Sequence, residues 1–216
     1  MATAAVVTKK LKLATGVCLI VQRDVLQLAK EVASLDLLSN GRFLFGIGAG
    51  WNREEMADHG TDPKTRIALM AERVDILKTI WTQSKPEYEG RFQSFEPMMS
   101  WPKPVQKPHP PILVGGAMPY AAKRAIAYGD GWIPLGGRGA EILDQLPRFR
   151  QMAAEAGREP DQLPVSVFGA GMDVDALKKY RDAGIERVVF SLDSAKGDTV
   201  LPVLDQIADL IHAVGE

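Results

Sequence analysis

Three glycine-bearing segments of this chain hold the residue types and spacings that can do chemistry. In 41–56, GRFLFGIGAGWNREEM, the apolar Phe43, Leu44, Phe45 and Ile47 suit a buried parallel strand, and Gly46, Gly48 and Gly50 open the backbone where it ends. Ligands of α/β proteins bind at the carboxyl ends of strands, and a residue without Cβ lets a bulky ligand approach the main chain. GxGxG alone is equally the signature of a turn that only packs a strand on a helix. In 112–120, the apolar Ile112 to Val114, then Gly115-Gly116, then a helix starting near Pro119 would present backbone N–H groups at a helix N-terminus. That geometry draws a phosphate by direct hydrogen bonds and by the helix dipole. Pro119 suits the first turn of such a helix. Gly136, Gly137 and Arg138, after the next apolar segment, can close on the same phosphate, although Arg138 also reads as a solvated loop arginine.

Composition removes several other chemistries. A net charge of −1 gives no bulk attraction to nucleic acid or to an anionic membrane. Cys18 is the only cysteine, so neither an intrachain disulfide nor a cysteine-based zinc site is expected. His59, His109 and His212 lie far apart, without metal-ligand spacing, and His109 sits in a proline-rich loop; no metal site is expected. No run approaches the about 20 apolar residues of a membrane span, and the N-terminus lacks a secretory pattern, so a cytoplasmic location is the expectation.

The elements that must position these residues alternate. A strand is expected over 12–21, interrupted by Gly16. Asp24 caps a helix with Val25, Leu28, Ala29, Val32 and Leu35 on one face, closed by Asn40-Gly41. Apolar residues at steps of three and four predict a helix over 66–82. Residues 84–111 break the rhythm and read as an insertion: a hairpin around Gly90-Arg91, then an extended proline-dense stretch. Strands over 112–114, 131–134, 165–168 and 188–192 then alternate with helices over 120–128, 140–156, 174–183 and 200–214. About six βα units in one domain spanning 1–216 imply a (β/α) barrel or an open doubly wound sheet. An incomplete barrel lacking its first two strands fits better, because the first nine residues resemble the tail of a helix. The strand ends offer no lysine or paired carboxylates, which disfavours an aldolase or isomerase barrel.

Three segments in order, LKLATGVCLIVQRDVLQLAKEVASLDLLSNGRFLFGIGAGWNREEM, WPKPVQKPHPPILVGGAMPYAAKRA and YGDGWIPLG, resemble the luciferase-like flavin or deazaflavin oxidoreductases, most closely their F420-using branch. The resemblance implies a TIM-type barrel with a deazaflavin (F420) or, as the alternative, FMN ring at the strand carboxyl ends. It implies hydride transfer to or from a small organic substrate, or an FMN-dependent monooxygenase reaction. Gly16 and Val17 then fall on the strand end behind the ring, where relatives hold a bulge or a non-proline cis peptide. Gly48, Gly50 and Asn52 fall on the next strand end, with Asn52 reaching a ring carbonyl or the polyol chain. Trp51 falls at the substrate pocket or in the core, and Glu54 and Glu55 solvate the start of the adjoining helical or loop stretch.

Gly115, Gly116 and Ala117 fall on the phosphate, and Gly136 and Arg138 on the phosphate or the F420 tail. Relatives carry a hydroxyl residue after the glycines where this chain has Ala117-Met118, which leaves the binding to the main chain. The front strand that supplies a ring-facing histidine in the family has no counterpart here, so the catalytic residue is unassigned. The expectation is therefore a fragment of a longer enzyme, or a homodimer that covers the open sheet edges, or a non-catalytic flavin-binding member.

Overall fold

The computed structural model describes residues 1–134 and 139–215. Its contacts divide the chain into two compact units, Met1–Val114 and Gly115–Glu216. The first unit contains helix α1 (Ala2–Val7), strands β1 (Leu13–Ala14) and β2 (Cys18–Leu19), helix α2 (Val25–Leu38), strand β3 (Phe43–Gly48), helices α3 (Arg53–Asp58) and α4 (Arg66–Thr82), the hairpin strands β4 (Tyr88–Glu89) and β5 (Ser94–Phe95), and strand β6 (Ile112–Gly115), whose last residue opens the second unit.

Strand β3 is buried along its whole length, as an uninterrupted apolar run requires when both faces are covered. It pairs in parallel with β1 (Leu13 opposite Phe43), with β2 (Cys18 opposite Ile47) and with β6 (Phe45 opposite Ile112). The single strand expected over 12–21 is two short pieces followed by a 3-10 turn at Ile20–Gln22. Between the pieces the Thr15 hydroxyl donates to the Gly46 carbonyl at 2.7 Å, and the Gly16–Val17 peptide is cis.

Asp24 caps α2 by accepting from the Gln27 N–H at 2.7 Å, and Asn40 and Gly41 close it at φ 52° and 74°. Helix α4 occupies the expected residues. Its Trp81 packs edge-on to Phe45 with ring centroids 6.1 Å apart and donates its indole N–H to Ala29 at 3.0 Å, tying α4 to both β3 and α2. Arg42, just before β3, holds α1 by donating to the carbonyls of Ala5 (2.6 Å) and Thr8 (3.0 Å).

The inserted segment is anchored at each stage. Three consecutive amides of the hairpin turn, on Arg91, Phe92 and Gln93, donate to the Glu72 carboxylate of α4, each at 2.9 Å. Further on, fully buried Asp36 of α2 accepts from the Val105 N–H (2.8 Å), the Gln106 N–H (3.0 Å) and the Gln106 Nε2 (2.7 Å). The same Gln106 amide donates to the Phe43 carbonyl at 2.7 Å, where β3 begins.

The second unit alternates helix α5 (Tyr120–Tyr128), strand β7 (Gly131–Ile133), helix α6 (Gly139–Glu155), strand β8 (Ser166–Phe168), helix α7 (Val174–Asp182), strand β9 (Arg187–Val189) and helix α8 (Gly197–Val214). Buried Trp132 of β7 bridges Val165 in parallel and packs on Phe149 of α6 at 5.0 Å between ring centroids. Strands β8 and β9 pair in parallel, with Val167 opposite Val188. The last strand ends at Val189 rather than at 192, because the Gly169 and Ala170 amides both turn onto the Val189 carbonyl. Helix α8 starts before the expected position and buries none of its residues, with Leu201, Leu204 and Ile211 exposed.

Removing the Asp36 carboxylate leaves three donors without their acceptor inside the packed interior. Asp36→Ala is expected to lower the unfolding free energy by about 3 kcal/mol, read from the urea midpoint at an unchanged denaturant slope. A loss below about 0.5 kcal/mol, the scatter of ordinary surface substitutions, would show that water replaces the clamp.

Candidate functional site

In the first unit the strand end is built around two close approaches. A Cβ on Gly48 would stand 2.7 Å from Cγ2 of Val17, so Val17 occupies the space any other residue at 48 would need. Gly50 lies at φ 75°, in the left-handed region that glycine adopts without cost, and this turns the chain away from β3. Trp51 follows at 87% exposure, which removes its reading as a core residue. Asn52 is the N-cap of α3: its Oδ1 accepts from the amides of Glu54 (3.1 Å) and Glu55 (3.2 Å). The two carboxylates occupy the first turn of α3, where the helix dipole favours negative charge.

Beside this strand end lies a cavity of about 530 Å³, lined among others by Val17, Cys18, Gln22, Arg23, Glu55 and His59. Burial raises the Cys18 thiol above its ordinary pKa, with the Arg23 guanidinium opposing the shift. The Gln22 Nε2 atom is buried and has no hydrogen-bond partner among the described residues. It sits 3.7 Å from the place a Cβ on Gly50 would take. A buried donor without an acceptor is costly, so an acceptor supplied by a ligand is the natural complement. The sequence does not single out Gln22, and it marks Glu55 only as solvating a helix start and His59 only as a histidine without metal-ligand spacing. The available signal was the four-residue spacing of Glu55 and His59, which sets them on one helical face; nothing local marks Gln22.

In the second unit the Gly-Gly break uses its donors differently than the pattern suggests. The Gly116 N–H donates to the Ile133 carbonyl at 3.0 Å, and its own carbonyl accepts from the Trp132 indole at 2.8 Å. Gly116 is at φ 126°, and a Cβ there would stand 3.2 Å from the Ala121 Cβ. Its glycine identity is thus required by the fold, and its amide is not available to an anion. The amides of Ala117 and Met118 have no hydrogen-bond partner among the described residues, while those of Ala121 and Lys123 are engaged by the carbonyls of Ala117 and Pro119. Pro119 is the N-cap rather than the first helical residue of α5. Gly136, Gly137 and Arg138 lie outside the described residues.

Among the described residues no group of three or more His, Cys, Asp or Glu side chains is placed to hold a metal ion. Among them, no helix is long and apolar enough to cross a membrane. Val17 is β-branched and has little rotamer freedom with which to retreat from a new methyl group. Gly48→Ala is expected to cost about 2 kcal/mol of stability, and Val17→Ala in the same chain to recover most of it. A thermal or urea double-mutant cycle checks this; losses that simply add, within about 0.5 kcal/mol, would rule out the clash.

Residues 1–172 match the family described as Luciferase-like monooxygenase. An uncharacterized protein of Mycobacterium tuberculosis H37Rv is 37% identical over 213 residues, which is 96% of this chain and 73% of that protein. An F420-dependent glucose-6-phosphate dehydrogenase of Kineococcus radiotolerans is 31% identical over 140 residues, 63% of this chain and 41% of the relative. An FMNH2-dependent dimethylsulfone monooxygenase of Pseudomonas putida is 31% identical over 150 residues, 68% and 41% of the two chains. Among solved structures, a monooxygenase from Streptomyces bottropensis superposes with a TM-score of 0.81 at 21% identity, covering 98% of this chain and 80% of its own. An F420-dependent secondary alcohol dehydrogenase in complex with an F420-acetone adduct does so with a TM-score of 0.80 at 20% identity, covering 100% and 83%. The fold is the TIM-type (β/α) barrel of the luciferase-like kind, and the chain belongs to the luciferase-like monooxygenase family.

Proposed function

We propose that this chain is an oxidoreductase that binds coenzyme F420 and uses it for hydride transfer to or from a small organic substrate. The observation that supports the reading is the pair of amides on Ala117 and Met118 ahead of α5, which have no hydrogen-bond partner among the described residues and so can meet an anion where a family relative would use a hydroxyl. Gly115 and Gly116 keep the backbone bare beside those amides, and Gly136 and Arg138 are further phosphate contacts in this proposal.

In the first unit, Gly16, Val17 and Gly48 back the ring, and Gly50 lets it approach the main chain. Asn52 has its Oδ1 engaged by the α3 cap, so its Nδ2 is the group it offers to a ring carbonyl or to the polyol chain. The Gln22 Nε2 donor suits an acceptor of the same kind. Trp51, exposed on the surface, serves in this proposal as a wall for substrate. Bound there, the deazaflavin supplies a two-electron carrier, and the chain's own part is to bind, orient and exclude water. The domain is taken as one barrel over 1–216, and the chain as a cytoplasmic homodimer, in keeping with the exposed apolar residues of α8 and the absence of a second partner for β9 among the described residues.

FMN is the second reading, as the alternative cofactor of a monooxygenase. It is favoured by the FMNH2-dependent relative, which matches at the same 31% identity as the F420-dependent one. Titrating the purified chain with F420 and with FMN, followed by ring fluorescence, is expected to give saturable binding with F420 the tighter. Gly115→Val is expected to weaken that binding at least about tenfold, 1.4 kcal/mol, with a much smaller change in melting temperature. Binding of neither cofactor by a folded sample would overturn the reading, and equal affinity in a folded Gly115→Val would remove the phosphate assignment.

A further inference from the structure

Strand β2 ends its ladder at Leu19, opposite Gly48, and the chain then makes the single 3-10 turn of Ile20–Gln22. Ile20 and Val21 are fully buried. A buried carbonyl needs a donor, and a turn this short offers its own carbonyls little from within. Both are met by side chains from far along the chain. The Val21 carbonyl accepts from the Thr61 hydroxyl at 2.6 Å, and the Ile20 carbonyl accepts from the Arg73 guanidinium of α4. Thr61 is 5% exposed. Burial lowers the Arg73 pKa, with the Asp24 and Glu72 carboxylates opposing the shift.

Thr61 has a second tie. Its amide donates to the Met56 carbonyl of α3 at 2.8 Å, so one residue fixes both α3 and the 3-10 turn. Met56 and Gln22 flank the same point. From the place a Cβ on Gly50 would take, Gln22 Nε2 stands at 3.7 Å and Met56 Cγ at 3.8 Å. Helix α3 also carries Asn52 as its N-cap. Gln22 and Asn52, the two amide side chains offered to the cofactor, therefore stand on elements whose spacing Thr61 sets. Neither Thr61 nor Arg73 lines the cavity beside this strand end.

We infer that Thr61, backed by Arg73, is a positioning residue of the cofactor site: its hydroxyl holds the turn where the buried Gln22 Nε2 meets an acceptor of the ligand. The inference rests on the proposed cofactor binding and extends it from residues that face the ligand to residues that do not. A glutamine loses much side-chain freedom when it is ordered, and a fixed backbone beneath it removes part of that cost before the ligand arrives. Without the Thr61 hydroxyl the Val21 carbonyl lacks its donor and the turn relaxes towards another one, taking the Gln22 amide with it.

The test is a double-mutant cycle on cofactor affinity in the full chain, with F420 and FMN each titrated by ring fluorescence. Gln22→Leu is expected to weaken binding about tenfold, the worth of one buried hydrogen bond, and Thr61→Val about fivefold. Thr61→Val added to Gln22→Leu is expected to weaken it no further, because the amide it positions is already gone. Thr61→Ser keeps the hydroxyl and is expected to bind as the unaltered chain does. The melting temperature is expected to fall for Thr61→Val equally in both backgrounds, which separates its part in folding from its part in binding. Where Thr61→Val does not fold, Arg73→Lys takes its place in the same cycle. Unchanged affinity in either single variant, or losses that simply multiply in the double variant, would overturn the positioning assignment alone. Binding of neither cofactor by the folded, unaltered chain would overturn the proposed cofactor and the positioning assignment together.

Discussion

The buried carboxylate of Asp36 is the constraint on which the first unit depends. A charge with no exposed surface is tolerable only when hydrogen bonds replace its water, and Asp36 obtains them from a segment about seventy residues further along the chain. Because Gln106 also donates to the Phe43 carbonyl, one network fixes the end of α2, the path of the proline-rich stretch and the entry of β3. A Cβ on Gly41 would stand 3.3 Å from Cγ of Gln106, so even the helix-closing glycine is fitted to that network. The position of the glycine-rich strand end follows from how β3 is entered.

At the strand ends, glycine serves two purposes that a pattern does not separate. Gly48 is small because Val17 is already in its space, and Gly116 is small because Ala121 is close and its φ is left-handed. Neither glycine needs a ligand to explain it. The case for a ligand comes from unmet capacity, above all the buried Gln22 amide nitrogen beside one strand end; the Ala117 and Met118 amides, on an exposed and a half-buried residue, lack a partner only among the described residues. A buried donor lacking an acceptor states more about a missing partner than a bare backbone does.

What could be read in advance was whatever local chemistry decides. The apolar spacing of 66–82 fixed α4 to the residue, Asp24 announced its cap, and Gly90-Arg91 announced the hairpin. The strand over 12–21 was read as longer than its ladder because side-chain hydrophobicity persists through Cys18 to Val21 while the backbone turns into a 3-10 geometry. The anchoring of 84–111 was not legible, since Glu72 and Asp36 are ordinary helix residues until the fold brings distant amides to them. Asn52 was legible as a polar residue at the right strand end, but its capping role depends on α3 starting at Arg53. The engagement of the Gly116 amide by Ile133 is likewise a tertiary fact.

The four tryptophans divide evenly between two environments: Trp81 and Trp132 are almost wholly buried, while Trp51 and Trp101 are 87% and 57% exposed. The intrinsic emission of the folded molecule is therefore a superposition of a blue, rigid component and a red, water-relaxed one. The red component includes a ring placed directly after the turn at Gly50. A small quencher in solution reaches that pair and spares the other, so the chain carries its own two-channel optical probe, one channel reporting the interior and the other the surface beside the glycine-rich strand end.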